Sequence, residues 1–331
     1  MPQVTVYEVA ESAKVSIATV SRVLNSPEKV NEATRARVLA TIDRLGFVPK
    51  AEAAARARKG HGRIGVLAPF FTLPSFVERL RGVANALDDS PYELAIYNVD
   101  SSARRDGYLT SLPLTRRLDG LIVMALPFDQ AVARRLLDHH LETVLVEFSQ
   151  ESFSSIRIDD RAGGEMAAEH LLQKGYHRCA FVGDSDVPDY AIHTSDWRLE
   201  GYRDALAASG LVLPDEYVAL APHSRENARL SAHRLLDLPE PPTAIFAASD
   251  NQALGVLKAA RERGLSVPRE LAVIGFDDVD IADFIGLTTI HQPLEESGRV
   301  AVDLLLSRVA NPARPAQRVR LPLTLMERET T

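Results

Sequence analysis

A segment of seven residues near the N-terminus contains side chains suited to reading DNA bases. It runs from Ser16 to Arg22, with the sequence SIATVSR. On a helix that begins near residue 17, Ile17 and Ser21 lie four residues apart and share a face. Ala18 and Arg22 have the same spacing, so the two pairs form one outward stripe. Small side chains fit the major groove, Ile or Ala can contact thymine methyl groups, and Arg can bind guanine in a bidentate manner. The stripe therefore favours a DNA-recognition helix over a merely solvated helix face.

Two short helices are needed to present this stripe, and the sequence marks the start of each. Thr5 and Glu8 match a capping box, which predicts a helix over 6–13. Ser16 has the side chain of an N-cap and predicts a second helix over 17–24. The stripe would then lie on the second helix of a helical hairpin.

A third helix and a linker follow the hairpin. Asn31 is the predicted N-cap of the third helix and Gly46 its predicted C-cap. Its apolar residues recur at helical spacing and are Val38, Leu39, Ile42 and Leu45. Residues 50–62, KAEAAARARKGHG, have no apolar face and are too short to be a stable helix alone. They are interpreted as a linker that becomes helical when a partner holds it.

The charge of the chain is unevenly distributed. Residues 1–60 contain ten Lys and Arg against six Asp and Glu, which gives +4, whereas the remaining residues carry −11 of a total of −7. A basic head on an acidic body is what a polyanion-binding tip requires. A solvated helical surface explains the charge alone equally well.

The chain beyond residue 62 has the pattern of a parallel α/β structure. Short apolar runs bounded by turn residues alternate with amphipathic helical stretches. The runs are RIGVLA, YELAIYN, DGLIVMA, TVLVEF, CAFVGD, YVALA, TAIFAA and LAVIGFD. The order is repeated, with one set opening near residue 63 and another near 177, which predicts two similar lobes. A ligand would bind at the carboxyl ends of the strands.

Several classes of protein are disfavoured. The 331 residues are too many for one ordinary core. No apolar run is long enough to span a membrane, and the N-terminus lacks the pattern of an export signal, so a cytoplasmic protein without a membrane partner is expected. Cys179 is the single cysteine, which excludes an internal disulfide. The common catalytic and phosphate-binding motifs are missing, so we expect neither an enzyme nor a cofactor or metal site.

The whole sequence resembles the LacI/GalR family of transcriptional regulators. The head carries TVYEVAESAKVSIATVSRVLN and VNEATRARVLATIDRLGFVPK, and the body carries IDDRAGGEMAAEHLLQKGYHRCAFVGD, ASDNQALGVLKAA and LAVIGFDD in the order of the family. The resemblance implies a small all-α helix-turn-helix head on an α/β body of two lobes, like that of type I periplasmic binding proteins. It also implies a homodimer on a near-palindromic operator and an effector in the cleft between the lobes.

The resemblance implies a division of the chain into three parts. The DNA-binding head is predicted over 1–48, the hinge over 49–62 and the body over 63–331. Within the body, the N-lobe is predicted over about 63–160 plus 291–320. The C-lobe is predicted over about 161–290 plus 321–331.

The resemblance also assigns roles to residues of the head and hinge. Ile17, Ala18 and Arg22 would read bases. The residues that would position the head on phosphates are Thr5, Tyr7, Ser16, Thr19, Ser21, Asn25, Lys29 and Thr34. Ala53 and Arg56 would contact DNA from the hinge.

Two positions depart from the family pattern. Lys14 replaces the glycine usual in the turn between the first two helices, where a positive φ would cost roughly 1 kcal/mol for a residue with a side chain. Arg56 replaces the leucine that wedges into the minor groove, and arginine instead suits a narrow, electronegative minor groove. We expect Arg56→Leu to change operator choice or the salt dependence of binding.

The effector contacts of the family fall on polar and aromatic residues of the body. Arginine and carboxylates make directional hydrogen bonds to vicinal hydroxyls, and aromatic faces pack on the C–H side of a sugar ring. The implied contacts are Phe71, Glu147, Trp197, Arg198, Ser249, Asp250, Phe276 and Asp277.

The sequence therefore predicts a repressor of sugar-utilisation genes that a sugar effector releases from a palindromic operator. Two alternatives stay open. One keeps the DNA-binding role with a purine-like corepressor. The other is a solute-binding protein or sugar enzyme on the same body, which leaves the head unexplained.

Overall fold

A computed structural model describes residues 4–25, 27–47 and 62–331. The helices are α1 Val6–Ser12, α2 Ile17–Asn25, α3 Glu32–Leu45, α4 Pro74–Leu87, α5 Ser102–Thr115, α6 Gln130–Asp138, α7 Asp160–Gln173, α8 Thr194–Ala208, α9 Arg225–Leu236, α10 Asp250–Glu262, α11 Ile281–Phe284 and α12 Leu294–Ala310. Short 3₁₀ turns span Pro27–Lys29 and Asp215–Tyr217. The predicted linker over 50–62 lies outside the described residues except for Gly62. Within the described ranges, none of the helices is both long and apolar enough to cross a membrane.

The caps predicted for the head are confirmed. Thr5 and Glu8 form the complete capping box at the start of α1. The Ser16 hydroxyl accepts a hydrogen bond from the backbone N–H of Thr19 at 3.1 Å, and the Asn31 side chain accepts from Thr34 at 2.9 Å. Gly46 ends α3 in the left-handed conformation with φ 63°. Local polar side chains therefore satisfy the backbone groups that helix ends leave open.

The turn between α1 and α2 contains the strain predicted from the sequence. Lys14 has φ 52°, the left-handed conformation that glycine adopts without steric cost. The side chain of Lys14 is exposed, so little packing offsets the strain. This turn fixes the angle at which α2 leaves α1.

The head has its own apolar core, and one residue of the body belongs to it. Each of the three helices contributes a fully buried valine to this core: Val9 from α1, Val20 from α2 and Val38 from α3. Leu114 of α5 packs into the same cluster. Asp43 of α3 also accepts from Arg135 of α6 at 2.9 Å. The head therefore packs on the neighbouring helices of the body.

The body contains two six-stranded sheets. The strands are β1 Gly62–Ala68, β2 Tyr92–Asn98, β3 Gly120–Met124, β4 Glu142–Val146, β5 Ser154–Arg157, β6 Cys179–Asp184, β7 Val218–Ala221, β8 Ala244–Ala247, β9 Ala272–Asp277, β10 Thr288–His291, β11 Arg318–Arg320 and β12 Thr324–Met326. The first sheet has the order β11-β5-β4-β3-β1-β2 and the second β12-β10-β9-β8-β6-β7. The pairs β1–β2, β1–β3 and β3–β4 are parallel, as are β6–β7, β6–β8, β8–β9 and β9–β10. The predicted repeat of two α/β lobes is thus confirmed.

Contacts divide the chain into two compact units. The first contains the described residues of Met1–Phe71 together with Val83–Ser155 and Arg299–Arg318. The second contains Thr72–Gly82, Ile156–Gly298 and Val319–Thr331. This division groups the head with the first lobe and assigns the beginning of α4 to the second, whereas the sequence separates the head at residue 48 and keeps 63–160 together.

Non-glycine residues in the left-handed region follow the strands of both sheets. Phe70, Ala125 and Glu147 come after β1, β3 and β4, with φ of 49°, 53° and 73°. Asp277, the last residue of β9, has φ 115°, and Asp186 after β6 has φ 56°. Such strain persists where the surroundings enforce it, often at functional sites. The carboxyl ends of the strands therefore have the strained backbone that is typical of a functional site.

Candidate functional site

The recognition stripe predicted on α2 is exposed. Ile17 has 40% of its surface accessible, and Ala18, Ser21 and Arg22 are also exposed. Val20 and Val23 of the same helix are buried in the head core, at 0% and 1%. The helix thus separates a packing face from a face of small side chains that ends in arginine.

The residues predicted to contact phosphates surround this helix. Thr5, Tyr7, Ser16 and Lys29 are exposed, whereas Thr19 and Thr34 are half-buried. Asn25 is the last residue of α2. Ala53 and Arg56 lie outside the described residues. The hydroxyls of Thr5 and Ser16 also accept the backbone hydrogen bonds that cap their own helices, so each can cap its helix and contact a phosphate oxygen only by donating its O–H hydrogen to it.

A buried polar cluster centred on Arg198 lies in the second lobe. Arg198 Nε donates to Asp160 Oδ1 at 2.9 Å, and Nη1 donates to the backbone oxygen of Ala248 at 2.6 Å. Nη1 also lies 3.8 Å from Asp277 Oδ1. These groups place the guanidinium of α8 against the ends of β8 and β9. An arginine held this rigidly loses little entropy when it meets a ligand.

Two residues that the sequence did not suggest extend the cluster. Gln292, just after β10, donates from Nε2 to Asp277 Oδ1 at 2.5 Å. Arg79 of α4 donates from Nη2 to Gln292 Oε1 at 2.9 Å. Arg79 and Gln292 are 2% and 3% exposed. A charged residue on the buried side of α4 was the available signal for Arg79, since such burial requires a partner.

Two of the predicted effector contacts are fully buried and have partners within the second lobe. Phe276 is fully buried, and its ring lies 3.6 Å beneath the Arg198 guanidinium carbon, so it supports Arg198. Asp250 is also fully buried. Its two oxygens accept from Thr289 Oγ1 at 2.6 Å and from the backbone N–H of Val279 at 2.9 Å. Burial, followed by the charge of Asp277, raises the pKa of Asp250 well above its usual value. Both side chains are therefore buried beside the cluster, and their role as effector contacts stays a prediction.

The other predicted effector contacts occupy strand ends or helix starts. Ser249 follows β8 and caps α10 through the backbone N–H of Gln252 at 3.2 Å. Trp197 is exposed beside Arg198 on α8. Phe71 and Glu147 are half-buried residues of the first lobe, after β1 and β4 respectively.

The cluster has the chemistry of a site for a neutral hydroxylated ligand. It offers guanidinium and amide donors beside carboxylate acceptors, with an aromatic ring below. Directional donors and acceptors of this kind recognise hydroxyl groups. The described ranges contain no group of three or more His, Cys, Asp or Glu side chains arranged to hold a metal ion.

A helix-turn-helix head with an exposed recognition face, joined to a two-lobed body with a ligand-type cluster, defines a DNA-binding transcriptional regulator. Residues 5–50 match the model of bacterial regulatory proteins of the lacI family, and residues 168–331 match a periplasmic binding protein-like domain. The chain belongs to the lacI family of bacterial regulatory proteins.

Full-length relatives share both parts of the chain. The ribose operon repressor of Escherichia coli K12 is 34% identical over 98% of both chains. Catabolite control protein A of Priestia megaterium is 32% identical over 99% of both chains. Among solved structures, a complex of the transcriptional regulator CelR with cellobiose has a TM-score of 0.70 and 27% identity, covering 99% of this chain and 100% of that one. A regulator from Enterococcus faecium with bound ribose has a TM-score of 0.71 and 30% identity, covering 81% and 98%.

Proposed function

We propose that this regulator is a sugar-responsive repressor that acts as a homodimer on a near-palindromic operator. Ile17, Ala18 and Arg22 read bases, and the residues around α2 contact phosphates. The protein is located in the cytoplasm and is associated with the nucleoid. The similarity to a ribose operon repressor over the full chain supports this role.

The observation that carries the sugar proposal is the buried chain from Arg198 through Asp277 to Gln292. It combines donors and acceptors in one place, as vicinal hydroxyls require. Ser249, Trp197, Phe71 and Glu147 complete the proposed contact set. The ribose and cellobiose bound by two related regulators support a sugar over a purine.

Sugar and operator binding are linked through the same protein. If a sugar lowers operator affinity by some factor, the operator must lower sugar affinity by the same factor. A sugar that binds both states of the protein equally would release nothing.

The test is fluorescence anisotropy of the protein on a selected operator, with and without a panel of mono- and disaccharides. We expect one sugar to lower operator affinity at least tenfold. The variant Asp277→Asn should keep operator affinity and lose the response to sugar. Binding that no sugar weakens, or that a purine strengthens, would contradict the sugar proposal while leaving the DNA-binding role intact.

A further inference from the structure

The head is held against the first lobe by a set of contacts, here called the joint. The head contributes residues of α2, of the turn after it and of α3, and the lobe contributes residues of α5 and α6. The residues of the joint are Leu24, Pro27, Asp43, Gly107, Leu114, Arg135 and His139. The head and this lobe belong to one compact unit, so the joint defines the placement of the head on its own lobe.

A charged clamp forms one half of the joint. Arg135 donates to both oxygens of Asp43, from Nη2 to Oδ2 at 2.9 Å and from Nη1 to Oδ1 at 3.5 Å. His139 Nε2 lies 3.2 Å from Oδ1 and donates to it, since a carboxylate accepts. Arg135 and His139 are four residues apart and share one face at the end of α6. A forked arginine pair of this kind fixes orientation as well as distance.

The clamp connects two parts that are each fixed by burial. Asp43 follows Ile42, which is 1% exposed in the head core, and Arg135 precedes Leu136, which is fully buried in the lobe. The Arg135 and Asp43 side chains themselves are 21% and 38% exposed, and an isolated ion pair at the surface contributes little to stability. The clamp therefore needs a second contact to keep the head in place.

An apolar contact forms the other half of the joint. Leu114 of α5 is 2% exposed and belongs to the same buried cluster as Leu24 of α2. Outside α5, Pro27 Cγ is the nearest described atom to a Cβ built on Gly107, at 3.1 Å. Glycine is unfavourable inside a helix, but here it lets the turn after α2 approach the backbone of α5. The end of α2 therefore rests on the lobe.

The joint leaves the proposed recognition face uncovered. Ile17, Ala18 and Arg22 of α2 are exposed while the head is docked, because the joint uses Leu24 and the turn that follows it. The head can therefore contact DNA without leaving its lobe.

A head fixed to its lobe gives a dimer one distance between its two recognition helices. Residues 48–61, which lie outside the described residues, connect the head to β1, and a covalent connection of this length alone sets only an upper limit of roughly 50 Å on the separation of its ends. In a two-fold dimer, the distance between recognition helices must match the spacing of the half-sites. One base pair more or fewer moves a half-site by roughly 3.4 Å and turns it by roughly 35°.

We propose that the joint determines which half-site spacing the regulator selects. Asp43, Arg135 and His139 are positioning residues that act through the placement of α2 and do not touch DNA. The inference rests on the proposed function, in which the two heads of a homodimer bind a near-palindromic operator. It predicts that weakening the joint relaxes the preference for spacing and leaves the preferred half-site sequence unchanged.

The test is fluorescence anisotropy of the full chain on duplexes that carry half-sites selected from random DNA. The half-sites are placed at the selected spacing, or with one base pair more or fewer between them. The wild type should bind the selected spacing at least about tenfold more tightly than either neighbour. Arg135→Asp puts a second carboxylate beside Asp43 and should reduce this preference to about threefold or less. Arg134→Asp, at an exposed residue of the same helix, makes the same charge change and should keep the wild-type preference.

Exchange of the two charges separates the ion pair from a general effect on folding. Asp43→Arg alone should also lose the spacing preference, whereas the double variant Asp43→Arg with Arg135→Asp should recover it to within about threefold of the wild type. The quantity compared is the ratio of affinities between spacings, because a positive charge added to the head raises the affinity for every duplex.

The outcomes distinguish the joint from the proposed function. The joint inference is overturned, while the DNA-binding role stands, if the wild type binds all three spacings equally, if Arg135→Asp keeps the wild-type preference, or if the double variant does not recover it. A change of the selected half-site sequence in Arg135→Asp would also overturn it. If the wild type selects no symmetric sequence, the proposed homodimer on a palindrome fails, and the joint inference fails with it.

Discussion

Arg198 is the residue on which the ligand-type cluster depends. The sequence pointed to Arg198 and Asp277 because each lies in a local motif that resembles the family. It did not point to Gln292 and Arg79, because their hydrogen bond joins residues 213 positions apart. It also placed Asp250 after β8 and Phe276 within β9, but it did not show that both side chains are buried.

 The direction of a side chain on a buried strand or helix start depends on packing that no local motif records.

The buried ion pair of Arg198 and Asp160 makes the first prediction. Arg198→Met leaves the Asp160 carboxylate buried without its main cation, which should lower the free energy of unfolding by about 3 kcal/mol or more. Urea unfolding followed by the fluorescence of Trp197, the single tryptophan, measures the effect in the second lobe. Arg203→Met removes a pair whose Asp215 is fully exposed, and it should leave stability essentially unchanged. If both variants lost the same free energy of unfolding, burial of the ion pair would not determine the cost of breaking it.

Cys179 makes a second prediction at the same scale. Burial raises the pKa of its thiol to about 11, so almost none of it is thiolate at pH 8, and the thiolate is the reactive form. The native protein should therefore not react with a disulfide reagent at pH 8 within minutes, and the urea-unfolded protein should react with one equivalent. Rapid reaction of the native protein would contradict the buried, protonated thiol.

The elements were predictable where their signals are local. The caps Thr5, Ser16 and Asn31 lie within three residues of the groups they bind, so the helices of the head followed from the sequence. The strands β5, β10, β11 and β12 were not predicted. Each has only three or four residues, and β10 forms only in combination with distant partners such as β12. Whether such strands form depends on hydrogen bonds to residues far away in the sequence, and the hydrophobic periodicity does not reveal those partners.

The turn between α1 and α2 makes a prediction at the scale of elements. Lys14→Gly should raise the free energy of opening of the head by about 0.5–1 kcal/mol, because glycine adopts φ 52° without strain. Hydrogen exchange of the buried amides of Val9 and Val20 reports this opening. A glycine within α1, Glu11→Gly, should lower the free energy of opening of the head by a similar amount, because glycine is unfavourable inside a helix. A loss of stability in both variants would contradict the strain at Lys14.

At the scale of the whole molecule, the sequence predicted two lobes and a head but not how the head packs. Leu114 completes the head core, and Asp43 pairs with Arg135 and lies 3.2 Å from His139 Nε2. These contacts join residues that no motif relates. The division of the chain into units differs from the predicted domains for the same reason, since contacts and not chain order define a unit.

The proposed homodimer makes a prediction at this scale. Phe284 of α11 is 86% exposed, and Ile281 on the same short helix is 41% exposed. An aromatic residue exposed to this extent is typical of an interface. Phe284→Glu should shift the protein from dimer to monomer at micromolar concentration in sedimentation velocity. Val212→Glu, at a position equally exposed, is the control and should stay dimeric. A dimer of unchanged affinity in Phe284→Glu would place the interface elsewhere.

The central claim is that α2 reads DNA sequence, and selection of binding sites from a pool of random duplexes tests it most directly. The wild type should enrich sequences with two-fold symmetry. Arg22→Ala should select the same symmetric sites with relaxed preference at one position in each half-site, which corresponds to a loss of about 1–3 kcal/mol of discrimination. Failure to enrich any symmetric sequence, or an unchanged preference in Arg22→Ala, would contradict the assignment of α2 as the recognition helix.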